Sequence, residues 1–196
     1  MKKLTIPSCD EEKIKKGQFV IEKQDFPSLP LHHQAVELIN TKGQFVGIAY
    51  LSEQNKGIGW FISHKKITFD IPFFCQLFQH AKKKRQVYQQ SEETTAYRLF
   101  NQEGDGFGGL TIDLYQEYAV FSWYNLFVYE IKDTIVQAFQ QVFPEVTGAY
   151  EKIRFKGLNV ESVHLYGQEA PAFFPILENG VRYKVFLNDG LMTGIF

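Results

Sequence analysis

Apolar and polar positions along the chain change period twice. Up to residue 67 the pattern is mainly that of strands. LTIP reads as a first strand, QFVIEKQDF alternates, and GIGWFIS is a short apolar run of strand length. AVELIN, the turn TKG and QFVGIAYL predict a hairpin, and FPSLPLHH, with two prolines, predicts a loop. One short helix is expected over Asp10–Lys16, with Ser8 or Asp10 as cap and Gly17 as stop.

At residues 70–88 the period becomes helical. Ile71, Phe74, Cys75, Phe78 and Ala81 share a face, Asp70 can cap, and Pro72 falls in the first turn, where its missing N–H costs little. Lys82, Lys83, Lys84 and Arg85 occupy the last turns, where cations suit the helix dipole. QQSEETT follows as a polar linker. Beyond it AYRLF, LTIDLY and YAVFSWY read as strands, and FVYEIKDTIVQAFQQVF as a helix with Ile131, Ile135, Ala138, Phe139 and Val142 on one face. GAYEKIR and SVHLYG are further strand candidates, and Asn179-Gly180 inside ILENGVRYKVFL is a hairpin signal. The expected fold class is α+β: a small β-rich unit over residues 1–69, a connecting helix and linker over 70–92, and a central α/β domain with antiparallel hairpins over 93–196.

Composition narrows the function classes. Apolar residues make up 44% of the chain, enough for a core, yet no run approaches the roughly 20 residues of a membrane helix. Charges at Asp10–Lys16 stand where a secretory signal would be apolar. Cys9 and Cys75 match neither a metal spacing nor a disulfide framework, and the five histidines form no H-E-x-x-H pair. These features predict a cytoplasmic protein without membrane association and without a metal site. Charge is uneven: residues 1–90 hold 14 Lys/Arg against 8 Asp/Glu, a net of +6, and residues 91–196 hold 7 against 14, a net of −7. Such asymmetry points toward a nucleic-acid-facing end.

GDGFGG, residues 104–109, matches G-x-G-x-x-G, the fingerprint of a dinucleotide-binding turn. That turn must open a helix and be followed by an acidic residue about 20 positions on. Here LTIDLY continues as a strand, and Asp113 comes only four positions after the last glycine. The run instead predicts a loop over residues 102–109 joining antiparallel strands 95–101 and 110–115, with positive φ at one or more glycines.

RLFNQEGDGFGGLTIDLY resembles a segment of the bacterial class I S-adenosylmethionine-dependent rRNA methyltransferases that begin with a PUA-like domain, the large-subunit rRNA cytosine-C5 enzymes and their relatives. The matching positions are Arg98, Leu99, Glu103, Asp105, Gly106, Gly109, Leu110, Asp113 and Tyr115, and Gly108 stands where the family often has proline. VGIAYLSEQNKGIGWFI with DIPFF, and ILENGVRYKVFLNDGLMTGIF, resemble further family segments, although Met192 replaces the usual lysine before Thr193 and Gly194. The resemblance implies a PUA-like β pseudobarrel over residues 1–69 that holds structured rRNA, S-adenosylmethionine as cofactor of the parent enzyme, and a Rossmann methyltransferase domain missing from this chain and lying beyond Phe196. It is compatible with a homodimer.

Methylation at cytosine C5 needs a thiolate that adds to C6, and in the family this cysteine follows a proline in the methyltransferase domain. Cys9 follows Ser8, and Cys75 lies on an apolar helix face, so no catalytic residue is expected in this chain. The RNA-binding candidates are Lys13, Lys15, Lys16, Lys82, Lys83, Lys84, Arg85 and Arg98. Asp105 and Gly106 are candidates for the substrate cleft, and Thr193 and Gly194 for the edge of the cofactor site. Arg98 has two readings: a salt bridge to Asp105 or Asp113, or a cleft residue that helps Asp105 position the target nucleotide. The rival function is a free-standing RNA-binding or ribosome-associated adaptor without catalysis.

Overall fold

The structure, a computed structural model, describes residues 1–26, 33–55, 57–156 and 163–187. β1 (Lys2–Thr5) leads into α1 (Ser8–Lys15). This helix begins before Asp10 because the Pro7 carbonyl accepts from the amides of both Asp10 and Glu11. β2 (Val20–Glu22) is shorter than its alternating run suggests, since Lys23–Asp25 close into a 3-10 turn. β3 (Gln34–Ile39), β4 (Phe45–Gln54) and β5 (Gly57–Ser63) complete a five-stranded sheet in the order β1-β3-β4-β5-β2. Only β1 and β3 pair in parallel within it.

α2 (Ile71–Lys84) is capped by Asp70, whose Oδ1 accepts from the Phe73 amide at 3.0 Å. It buries Phe74, Phe78 and Ala81 on one face, as the spacing of its apolar residues requires. After α3 (Gln86–Gln89), a second five-stranded sheet is built from β6 (Ala96–Asn101), β7 (Leu110–Tyr115), β8 (Tyr118–Trp123), β9 (Gly148–Ile153) and β10 (Val163–Gly167). Its order is β10-β9-β8-β7-β6. Between β8 and β9 lie α4 (Leu126–Glu130) and α5 (Lys132–Val142), two helices broken at Ile131 where the apolar pattern suggests one. β11 (Phe174–Glu178) and β12 (Val181–Val185) form the closing hairpin. Its turn has φ of +50° at Asn179 and +79° at Gly180, the conformation Asn-Gly favours.

The fold class expected from the sequence needs correction. The part after α2 does hold antiparallel pairs, β6–β7–β8 and β11–β12, but β8 and β9 run parallel, so it is a mixed sheet. A parallel pair cannot be closed by a tight turn, and α4 with α5 supplies the crossover. The part before α2 likewise contains a parallel pair, and the chain as a whole is a two-sheet mixed fold with a separate hairpin.

One apolar core spans both sheets. Phe78 of α2 meets Phe139 of α5 edge-on at 5.6 Å, and Phe139 meets Phe121 of β8 at 5.0 Å. Tyr50 and Trp60 from the first sheet enter the same cluster. On β7, Leu110 and Ile112 join this core, while Tyr115 lies in a second cluster closed by Phe174, Ile176 and Val185 of the hairpin.

Candidate functional site

The glycine run is a loop between antiparallel β6 and β7, and no helix opens at Gly109. Residues Gln102–Asp105 make a 3-10 turn that ends at Gly106 with φ +92°, and Gly109 has φ +84°. Gly108 is needed for a different reason: a Cβ there would lie 2.2 Å from Cδ1 of Trp60. The Tyr50 hydroxyl donates to the Gly108 carbonyl at 2.8 Å, and Trp60 Nε1 donates to Glu103. The loop is thus packed against the first sheet. Its backbone forms a joint between the two units, with no helix N-terminus to receive a phosphate.

Beside this joint lies a cleft of about 600 Å³ lined by Lys84, Arg85, Tyr88, Tyr97, Arg98 and Asp105, with Asn101 and the turn at Glu178 and Asn179 at its margin. Asp105 is 6% exposed and is the centre of the polar network. Arg85 grips it with two guanidinium nitrogens at 2.9 and 2.6 Å, Lys84 reaches it at 3.1 Å, and the Asn101 amide donates to it at 2.7 Å. Burial opposes ionisation of Asp105, but the Arg85, Asn101 and Lys84 hydrogen bonds outweigh it and hold the carboxyl below the ordinary carboxylate range. Arg98 pairs with Asp113, at 2.7 and 3.0 Å, and not with Asp105. The two residues sit opposite each other in the β6–β7 register, and the hydrogen bonds to Asp113 push the pKa of Arg98 up. Tyr88 stacks on Tyr97 with centroids 5.4 Å apart.

The sequence candidates therefore separate. Lys84, Arg85, Arg98 and Asp105 converge, and Gly106 ends the turn that carries Asp105. Lys82 turns elsewhere, to Glu145 at 2.8 Å and the Val142 carbonyl at 3.0 Å. Lys13 and Lys15 pair with Asp10 and Glu11 of their own helix, and Lys16 is exposed. Thr193 and Gly194 lie outside the described residues. Pattern reading missed Tyr88, Asn101 and Glu178, because only the long-range fold brings them to the cleft. Of the four cations ending α2, Lys83 alone forms no ion pair among the described residues. Lys83→Ala is therefore expected to flatten the salt dependence of RNA binding by no more than about 0.9 units, one phosphate contact. Log affinity against log salt for both proteins measures it, and a larger change would mean that the neighbouring pairs open on binding.

A sequence profile described as a PUA-like domain matches residues 5–64. A Bacillus subtilis protein with the provisional name ribosomal RNA large subunit methyltransferase YwbD is 38% identical over 205 residues, which cover 100% of this chain and 52% of its own. Ribosomal RNA large subunit methyltransferase I of Photobacterium profundum is 32% identical over 173 residues, 85% of this chain and 43% of its own. A solved Streptococcus mutans protein, provisionally described as an S-adenosylmethionine-dependent methyltransferase, is 57% identical and superposes with a TM-score of 0.94 over 100% of this chain and 51% of its own. A solved methyltransferase of the same provisional standing, complexed with S-adenosylhomocysteine, matches with the same identity and TM-score. The chain spans about half the length of the curated relatives it matches. The solved structures also correct the expected fold class, since all of this chain superposes on about half the length of a solved methyltransferase chain.

Proposed function

Because the chain belongs to the family of S-adenosylmethionine-dependent large-subunit rRNA methyltransferases that carry a PUA-like domain, we propose that it acts in cytosine-C5 methylation of 23S rRNA in the cytoplasm, gripping structured RNA and positioning the target nucleotide. The observation that carries this reading is the cleft where Arg98, Lys84 and Arg85 stand beside the Tyr88–Tyr97 stack. Arg98 spends two donors on Asp113, which fixes its plane, and keeps others for a phosphate. Tyr88, 44% exposed, offers a face on which a base can stack. RNA held by shape, phosphate and stacking contacts is the form in which such proteins read structured substrates.

S-adenosylmethionine, when bound, supplies the methyl group as an electrophile. Among the described residues the glycine loop does not fit it, because Trp60 fills the space beside Gly108 and the loop opens no helix. Neither cysteine suits the nucleophile's role: burial pushes the Cys75 thiol up, away from the thiolate form, and Cys9 is an exposed helix residue without a cationic partner among the described residues.

Disrupting the gene that encodes this chain is expected to remove one 5-methylcytidine from large-subunit rRNA, read by mass spectrometry of its nucleosides. Loss of a different methylated nucleoside would keep methyl transfer and refute the C5 assignment. An unchanged methylation profile would favour the adaptor reading.

A further inference from the structure

We propose that a second cleft, between the end of β4 and the carboxyl ends of β8 and β9, takes up an unpaired nucleotide of the RNA with its phosphates on Arg154 and Lys156. The proposal rests on the RNA-handling reading above and adds a site to it. β8 and β9 are the parallel pair of the second sheet, and in such sheets ligands bind outside the carboxyl ends of the strands. Trp123 and Ile153 are register partners, so the chain leaves both strands side by side at Tyr124 and Arg154. The Arg154 amide donates to the Trp123 carbonyl at 2.8 Å and holds the two exits together. The space they border with His33, Phe155 and Lys156 is about 560 Å³, the size of a site for a small organic molecule.

Charge separates this cleft from the first. At the end of α2, Lys82, Lys84 and Arg85 each meet a carboxylate. Arg154 and Lys156 are exposed and form no ion pair among the described residues. Glu53, the carboxylate at the cleft's rim, faces Lys23 at 3.4 Å. Lys152, two residues before Arg154 on β9, is 2% exposed and is pushed down to about 8 by burial and by the neighbouring Arg154 charge. An anion arriving here meets Arg154 and Lys156, which no carboxylate among the described residues pairs with. Tyr124 and Phe155, both half-buried, give the cleft aromatic walls, which favour a base over a small inorganic ion.

The walls are also fixed before any ligand arrives. His33 Nδ1 lies 2.9 Å from Ser52 Oγ, which accepts from the Phe127 amide at 3.2 Å. Asn125, fully buried, donates to Gln54 at 3.2 Å and to the Tyr50 hydroxyl at 3.1 Å. Both units are thereby pinned on either side of the cleft, as a preorganised site requires.

The test uses a fluorescein-labelled RNA hairpin with an unpaired loop, titrated by anisotropy over a series of potassium chloride concentrations. Arg154→Gln with Lys156→Gln is expected to flatten the salt slope by about 1.4 units, at roughly 0.7 per single-strand phosphate contact. Tyr124→Leu, which keeps apolar bulk and removes the ring, is expected to weaken binding about fivefold or more with the slope unchanged. In the unsubstituted chain, ultraviolet crosslinking of a bromouridine-substituted loop should map to Tyr124 or Phe155, a readout independent of whether the variants fold. A wild-type chain that binds the hairpin, with no crosslink at these rings and an unaltered slope in the double variant, would overturn the cleft alone. A wild-type chain that binds no RNA would overturn the RNA-handling reading with it.

Discussion

Replacing Asp105 with alanine is expected to remove about 3–5 kcal/mol of folding stability, the usual result of stripping one partner from a buried ion pair. For a chain of this size that corresponds to a fall in Tm of roughly 6–20 °C. Asp105 accepts from Arg85 through both oxygens, from Lys84 and from the Asn101 amide. Alanine would leave the Arg85 side chain, 13% exposed, with its charge uncompensated against β6. The double variant Asp105→Leu/Arg85→Met should regain most of the loss, because exchanging both charges for apolar groups is often neutral. Thermal melts of the three proteins decide the matter, and a single variant that melts like wild type would show that the pair is solvated. The same carboxylate fixes an acid limb. Its folded pKa lies below the unfolded value near ~4, so its contribution is complete above that value and is lost as pH falls through the folded one. Asp105→Asn should remove that limb from a stability–pH profile.

Gly109→Ala is expected to cost about 2–5 kcal/mol, from two sources that add. A left-handed φ of +84° strains any side chain, at roughly 1–2 kcal/mol. The new methyl would sit 2.3 Å from Asn125 Nδ2 and 2.8 Å from the Tyr50 hydroxyl, and would force apart a buried hydrogen-bonded pair worth about 1–3 kcal/mol. Gly104, in the same loop, has an ordinary φ and no neighbour nearer than 3.8 Å, so Gly104→Ala should fall within about 0.5 kcal/mol of wild type. Urea midpoints give both numbers. Equal midpoints for the two variants would mean that the loop does not press on Tyr50 and Asn125.

Much of this architecture can be read locally. The Asp70 cap and the spacing of Phe74, Phe78 and Ala81 announce α2, and Asn179-Gly180 announces its hairpin, because in both cases neighbours within a few residues decide the conformation. The glycine run reads correctly as a loop, and Gly106 and Gly109 do adopt positive φ, but the approach of Trp60 to Gly108 joins residues 48 positions apart and leaves no local trace. The direction of β9 is illegible for the same reason. GAYEKI has the same alternation whether it runs with or against YAVFSW, so its pattern does not reveal the parallel crossover. The cations at the end of α2 look free in sequence. Their partners, Asp105 and Glu145, arrive by the fold, and among the described residues only Lys83 forms no ion pair. Arg154 and Lys156, just past the end of β9, carry no local signal, because they share a cleft only with Tyr124, which follows β8.

The joint made by Tyr50, Trp60, Gly108, Gly109 and Asn125 leaves the two sheets without a hinge at their contact. Under the function proposed above, with RNA gripped by one unit and a nucleotide presented by the other, the protein would work as a ruler. The distance from the gripped helix to the presented nucleotide is set by packing inside the protein, so the nucleotide is chosen by where it stands in the folded RNA. Inserting one base pair between those two points should move a different nucleotide to the mark, even when the sequence around the original target is left intact.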